Sequence, residues 1–239
     1  MIRFDGLEKK YGDFTAVHPL NFEVTKGEIF GFLGPNGAGK TTTIRMMMGI
    51  LVPSGGRVWL DSLDGAVHST EIKKRIGYLP DEPIFYDYLR GREILGFVGE
   101  IHGLKRKEAN ARAIELLCEF GLSDASEEFA VNYSMGMKKR LGLAMAMMHQ
   151  PSILILDEPI NGLDPRGAHE IQNKLKAFAE QGGTVFLSTH LLDLAEKICK
   201  RVAIIDRGKI CAVDTVPNLR EQFLPGASLE DIFLKVIEP

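Results

Sequence analysis

"GEIFGFLGPNGAGKTTTIRMMMG" (Gly27–Gly49) decides how the rest of the chain is read. Its opening, Glu28 to Leu33, is a short apolar run set off by glycine, which predicts a buried strand. "GPNGAGKTT" (Gly34 to Thr42) then fits G-x-x-x-x-G-K-[ST] throughout, and Thr41 to Met48 predicts a helix. Phosphate chemistry requires this composition. Gly34, Gly37 and Gly39 let the backbone turn tightly and approach anionic oxygens with no Cβ in the way. With Pro35, Asn36, Ala38 and Thr42 they form a cradle whose N–H groups, with the helix N-terminus, point at phosphate. Lys40 is placed to neutralise the β- and γ-phosphates, and the Thr41 hydroxyl to meet Mg²⁺. A chance glycine-rich turn is the competing reading, and the ordered strand, loop and helix argue against it. The loop specifies a nucleoside triphosphate site without specifying its use.

A second apolar strand, "ILILDEP" (Ile153 to Pro159), ends in two adjacent acids. Successive strand side chains point to opposite faces, so Asp157 and Glu158 are expected to do different work. Asp157 is assigned to the metal and Glu158 to orienting a water as general base. The bland reading, that both acids cap the turn "PINGLDP", loses weight once the phosphate loop is present. "STH" ends a third predicted strand. It brings His190 to the carboxyl edge of the sheet, where ligands of such folds bind, with a hydrogen bond to the γ-phosphate as its role.

Around these motifs the chain reads as an α/β core interrupted by helices. Phe14–Val24 and Gly55–Asp61 read as strands, and Arg90 to Gln150 has helical spacing with glycines at helix ends, Gly103 and Gly121. Strand signals return at Ser152–Leu156, Thr184–Thr189 and Arg201–Asp206, with a helix over Pro165–Gln181. Strand–helix–strand order with continuous apolar strands predicts a parallel sheet. "SLEDIFLKV" opens with Ser228 three residues before Asp231, a capping box on a closing helix. The net charge of −3 gives no electrostatic reason to expect nucleic acid. Cys118, Cys199 and Cys211 lack pairing or metal spacing, which suits a reducing compartment. No apolar run reaches the roughly 20 residues that span a bilayer. "MIRFDGLEKKYG" lacks the apolar core of a signal peptide. The expectation is a cytoplasmic chain that reaches a membrane only through a separate embedded partner.

Taken in order, these pieces resemble the ATP-binding subunit of an ABC transporter over nearly the whole chain. Gly34–Thr42 matches Walker A, "IGYLPDEP" (Ile76 to Pro83) the Q-loop, "YSMGMKKRL" the signature, "ILILDEP" Walker B, "NGLD" (Asn161 to Asp164) the D-loop and His190 the switch histidine. The wording of the phosphate loop and of the tail resembles the subgroup that pairs with ABC-2-type membrane subunits, mostly exporters. The resemblance implies a P-loop NTPase (RecA-like) core over residues 1–82 and 151–211. To this it adds an antiparallel β subdomain, a helical signature subdomain over 83–150 and a tail over 212–239. It implies ATP and Mg²⁺ as cofactors and Lys40, Glu158 and His190 as catalytic residues, with hydrolysis to ADP and phosphate coupled to transport. Tyr11 would stack on adenine and Asp164 would join the nucleotide site. Two such subunits, identical or not, would pack head to tail on the cytoplasmic face of a membrane permease, so that Ser134 and Gly136 act on the ATP of the other subunit. Ser134 reads independently as a helix N-cap, while Lys138, Lys139 and Arg140 read as a solvated face.

Two departures stand out. Asp81 occupies the Q-loop position where the family most often has glutamine; a carboxylate only accepts hydrogen bonds, so Asp81 is a third candidate for the metal, through a bound water. Met135 and Met137 replace a glycine and a polar residue of the signature. The alternatives are a soluble ABC-type ATPase of DNA repair or translation, or a regulatory or self-immunity cassette. A P-loop kinase or GTPase would leave the signature and His190 without purpose.

Overall fold

The structure, a computed structural model, describes residues 1–237. Residues 238 and 239, the end of the expected tail, lie outside the described residues. In chain order come β1 (Ile2–Tyr11), β2 (Phe14–Val24), β3 (Ile29–Leu33), α1 (Lys40–Met47), β4 (Gly55–Leu60), β5 (Leu63–Asp64) and α2 (Ser69–Lys73). Next are β6 (Ile76–Leu79), α3 (Gly91–Ile101), α4 (Arg106–Glu119), α5 (Met135–Met147), β7 (Ile153–Asp157) and α6 (Pro165–Glu180). The chain finishes with β8 (Thr184–Thr189), α7 (Leu192–Ile198), β9 (Arg201–Asp206), β10 (Lys209–Thr215), α8 (Val216–Phe223) and α9 (Leu229–Ile237). The chain divides into two compact units, one of residues 1–73 with 175 onward, the other of residues 74–174.

The first unit holds an antiparallel sheet in the order β2–β1–β4–β5. It also holds β3 paired in parallel with both β9 and β8, and β10 closes antiparallel on β9. β3 and β8 are buried along their whole length. This is why they read as unbroken apolar runs rather than alternating ones. A phenylalanine cluster joins the two sheets. Phe22 stacks on Phe4 at 4.3 Å and on Phe30 at 5.5 Å, and Phe186 packs 5.3 Å from Phe32. Phe30, Phe32 and Phe186 are fully buried, each adding roughly 1.5–3 kcal/mol of hydrophobic stabilisation. The tail helix α9 starts on the expected capping box: Ser228 Oγ accepts from Asp231 N (3.1 Å) while the Asp231 carboxylate accepts from Ser228 N (3.0 Å).

In the second unit β6 and β7 pair in parallel, Ile76 with Ile153 through Leu79 with Leu156. Helix α5 lies tight on β6, because glycine faces it twice. A Cβ on Gly77 would strike the Ala146 carbonyl, and one on Gly142 would strike the Leu79 side chain and crowd Pro83. This packing ties β6 to the helices, so the unit that contains them runs 74–174, where the sequence expectation set the helical segment at 83–150. Helices α3 and α4 cross closely at Gly99 and Ala109. Both end at the expected glycines, Gly103 and Gly121, in the left-handed region.

Candidate functional site

The phosphate loop leaves β3 and enters α1 as its composition requires. Gly34 is pressed against β9: a Cβ there would collide with the Ile205 carbonyl and the Ala38 side chain. Gly39 is the N-cap of α1 at φ 104°, a left-handed conformation open to glycine. The turn between β9 and β10 staples the loop in place. Arg207 and Gly208 both have positive φ, the signature of a two-residue hairpin turn. Gly208 N donates to Ala38 O at 3.0 Å, and Gly208 O accepts from His18 N on β2 at 2.8 Å. Lys40 is 7% exposed and its Nζ donates to the Gly34 carbonyl (2.7 Å) and the Pro35 carbonyl (3.2 Å). The ammonium thus lies along the inside of the loop. Asn36 and Gly37 are open, a Cβ on Gly37 would meet nothing within 4 Å, and Thr41 is exposed on the first turn of α1 beside Thr42. The register of β3 on β8 pairs Leu33 with Thr189. Gly34 and His190 therefore emerge from adjacent strands at the same carboxyl edge, and His190 is exposed there. Tyr11, at the end of β1, is 52% exposed, with Lys9 Nζ 5.0 Å from its ring centre.

The second unit carries the acids and the signature. Asp157 ends β7 at 2% exposure and Glu158 follows at 6%. The alternation argument does not reach Glu158, because the strand ends one residue earlier and Glu158 sits at φ 49°. A left-handed turn, not the strand pleat, sets the direction of its carboxylate. Such a conformation in a non-glycine residue costs about 1–3 kcal/mol and collects at functional sites. Ser134 is the N-cap of α5, its Oγ accepting from Met137 N at 3.2 Å. Met135 reaches the D-loop, where a Cβ on Gly162 would run into its sulfur. Gly136 faces Leu163. Tyr133 is buried, and its hydroxyl donates to the Ala125 carbonyl at 2.7 Å. Asp164 serves as a cap for α6, its Oδ1 accepting from Gly167 N at 3.2 Å.

The expectation of a solvated Lys138–Arg140 face fails at Lys139. That side chain is 3% exposed; its Nζ donates to the Asp81 carbonyl at 2.5 Å and lies 3.5 Å from Asp81 Oδ1. Burial lowers its pKa, while Asp81, Glu158 and Asp157 pull in the opposite direction. Arg140 pairs with Glu170 at 3.1 Å. One signal was present in the sequence. Lys139, Gly142 and Ala146 fall on one helix face, and a face with two small residues is one that packs closely. Asp81, with its side chain half exposed, is held by a lysine.

Among the described residues no group of three or more His, Cys, Asp and Glu side chains forms a metal cluster. Mg²⁺ taken up with a nucleotide needs only one or two protein oxygens, since phosphates and water complete its shell. The Thr41 hydroxyl and the Asp157 carboxylate are donors of that kind. The loop, with its lysine and its open N–H groups, suits the triphosphate.

Residues 17–161 match the family model described as "ABC transporter". The chain is 37% identical to the daunorubicin resistance ATP-binding protein DrrA3 of Streptomyces coeruleorubidus, over 98% of this chain and 73% of that one. It is 40% identical to the bacitracin transport ATP-binding protein BcrA of Bacillus licheniformis, over 88% of this chain and 68% of that one. The fold superposes on the structure of an ATP-binding subunit of an ABC transporter with a TM-score of 0.93 at 30% identity, covering all of both chains. With its glycine loop, its Asp-Glu strand end and these matches, the chain belongs to the ABC transporter family, as an ATP-binding subunit. Membership implies ATP binding, ATPase activity, pairing of ATP-binding subunits and a membrane-embedded partner. Among the described residues no helix is long and apolar enough to cross a membrane.

Proposed function

We propose that this chain hydrolyses ATP in a two-fold pair of ATP-binding subunits at the cytoplasmic face of the membrane, and that the cycle drives export by a separate permease. Glu158 carries the reading. A buried carboxylate held in a left-handed conformation directly after Asp157 is costly, and a water-orienting base justifies the cost. Lys40 and the loop N–H groups hold the β- and γ-phosphates, His190 bonds the γ-phosphate and Tyr11 stacks on adenine. Glu158 draws the proton of a water as its oxygen attacks the γ-phosphorus; the bond to the β–γ bridging oxygen breaks, and ADP and phosphate leave. Magnesium held by Thr41 and Asp157, with Asp81 reaching it through water, would supply charge compensation on the phosphates. Ser134 and Gly136 present the N-terminal end of α5 to the γ-phosphate of the other subunit, where helix N–H groups favour an anion. Asp164 caps α6 beside that junction. Export is supported by the names of the relatives, which concern daunorubicin resistance and bacitracin transport.

Glu158→Gln tests the reading. It should bind ATP normally, lose at least about a hundredfold in turnover, and run as an ATP-dependent dimer on gel filtration. Turnover near wild type would remove Glu158 from the role.

A further inference from the structure

Helix α5 and the strand it covers meet at regular intervals. Ala146 lies against Gly77, Gly142 against Leu79 and Pro83, and Lys139 against Asp81. On the helix these positions, 139, 142 and 146, share one face. On the other side, 77, 79 and 81 are alternate residues of β6 and its extension. Seven helical residues span about 10 Å and four extended ones about 13 Å, so the two segments run side by side, antiparallel, over the whole contact. The first two contacts are close-packed backbone and apolar atoms. The third, at the signature end, is a single buried ammonium gripping a carbonyl at 2.5 Å and a carboxylate at 3.5 Å. Lys139 is five residues from Ser134, just over one turn into the helix that Ser134 caps. Beyond Asp81, Pro83 rests against Gly142 and Tyr86 against Phe97 of α3, while Ile84 is 91% and Tyr88 81% exposed. Without Lys139 that loop would be tied to α5 only at its apolar end.

We propose that Lys139 is a positioning residue for ATP turnover: its grip on Asp81 makes the loop after β6 and the signature end of α5, with Ser134 and Gly136, move as one body. A displacement of the loop is then delivered to Ser134 without slack. The charge has a reason at this position. A carboxylate at 81 accepts hydrogen bonds only, so the neighbour that holds it must donate, and a buried donor with positive charge does so most strongly. The inference rests on the reading that Ser134 and Gly136 complete the other subunit's site.

Steady-state ATPase kinetics of the full chain test it. Lys139→Met keeps the length and burial of the side chain and removes the donor and charge. It should lower kcat about tenfold, the scale of a misplaced contributor to the site, and leave KM for ATP within about twofold because its own phosphate loop is untouched. Lys139→Arg should restore kcat to within about threefold of wild type. Hydrogen exchange should rise in residues 81–89 of the Met variant and not in α4. Should Lys139→Met not fold, Lys139→Gln serves, a shorter neutral donor expected to lose severalfold in kcat. Wild-type kcat in the folded Met or Gln variant, a loss confined to KM, or no recovery with Arg overturns the proposal. Ser134→Arg separates the two claims. If it abolishes turnover while Lys139→Met is normal, only the proposal fails. If it turns over normally, the reading beneath the proposal fails.

Discussion

Gly34 cannot become alanine unless β9 moves, because the new methyl would enter the Ile205 carbonyl. Backbone yields less readily than a side-chain tip. Gly34→Ala is therefore expected to cost about 1–3 kcal/mol in folding and to weaken nucleotide binding by more than tenfold. Thermal melting without nucleotide and calorimetry with ATP measure the two effects separately. Lys40 is expected to act through charge on the phosphates, so Lys40→Ala should lower ATP affinity, and because its Nζ also holds the Gly34 and Pro35 carbonyls it should cost about 1–3 kcal/mol of stability as well. These residues were legible in sequence because phosphate binding dictates their types and spacing, whatever the rest of the fold does. Lys139 was legible only through the helix face it shares with Gly142 and Ala146; the Lys-Lys-Arg run itself is silent, and the partner, Asp81, lies 58 positions earlier, beyond any local pattern. The sequence marks Glu158 as a candidate, but the strand pleat does not set its direction, and the turn that does has no glycine to betray it.

At the scale of elements, the buried strands were legible because their unbroken apolar runs have one explanation, burial on both faces. The helical region was legible in character but not in extent. The tight seat of α5 on β6 follows from Gly77 and Gly142 meeting each other's segments, a long-range match that no local pattern carries. Another long-range match has a consequence for pH. His102, at the end of α3, stacks on His149, just after α5, with ring centres 3.8 Å apart and nearly parallel. His149 Nε2 bonds the Ile76 carbonyl at 3.0 Å. Burial, and then the neighbouring His102, hold the His149 pKa at about 4, and burial also lowers that of His102. Folded-state values below the unfolded value mean that the unfolded chain binds protons first as pH falls. The stability contribution is complete above about pH 6.5 and is lost progressively towards pH 4. Allowing for solvent screening of this partly open pair, the loss should be roughly 1–2 kcal/mol. Denaturant titrations at pH 7, 6, 5 and 4 should show the decline in wild type and a flatter profile in His149→Gln. Parallel profiles would refute the assignment.

At the scale of the whole molecule, the trans reading makes a prediction that no single variant can. Lys40→Ala spoils a phosphate loop and spares a signature; Ser134→Arg does the reverse. Each should be inactive alone. Mixed in equal amounts, they form heterodimers in which one composite site has both halves intact, and about a quarter of wild-type turnover should return, since about half the dimers are mixed and each has one working site of two. An inactive mixture would put the signature to work within its own chain. The pairing of subunits could be expected from sequence only through the family, because each half of such a site is incomplete by itself and leaves no local trace of the other.

The floor under Gly34 has a further consequence, in the order of synthesis. β3 is made early, yet the strands on either side of it, β8 and β9, emerge only after the whole of α3 to α6, and so does the Gly208 turn that staples the loop. Until then the glycine loop has no wall to hold its shape. A nascent chain that stops short of residue 208 carries the complete phosphate-binding motif and no phosphate-binding site, so ATP cannot act as a template for the early steps of folding. The nucleotide can reward only a chain that has passed residue 208, and products cut before it gain no protection from ATP.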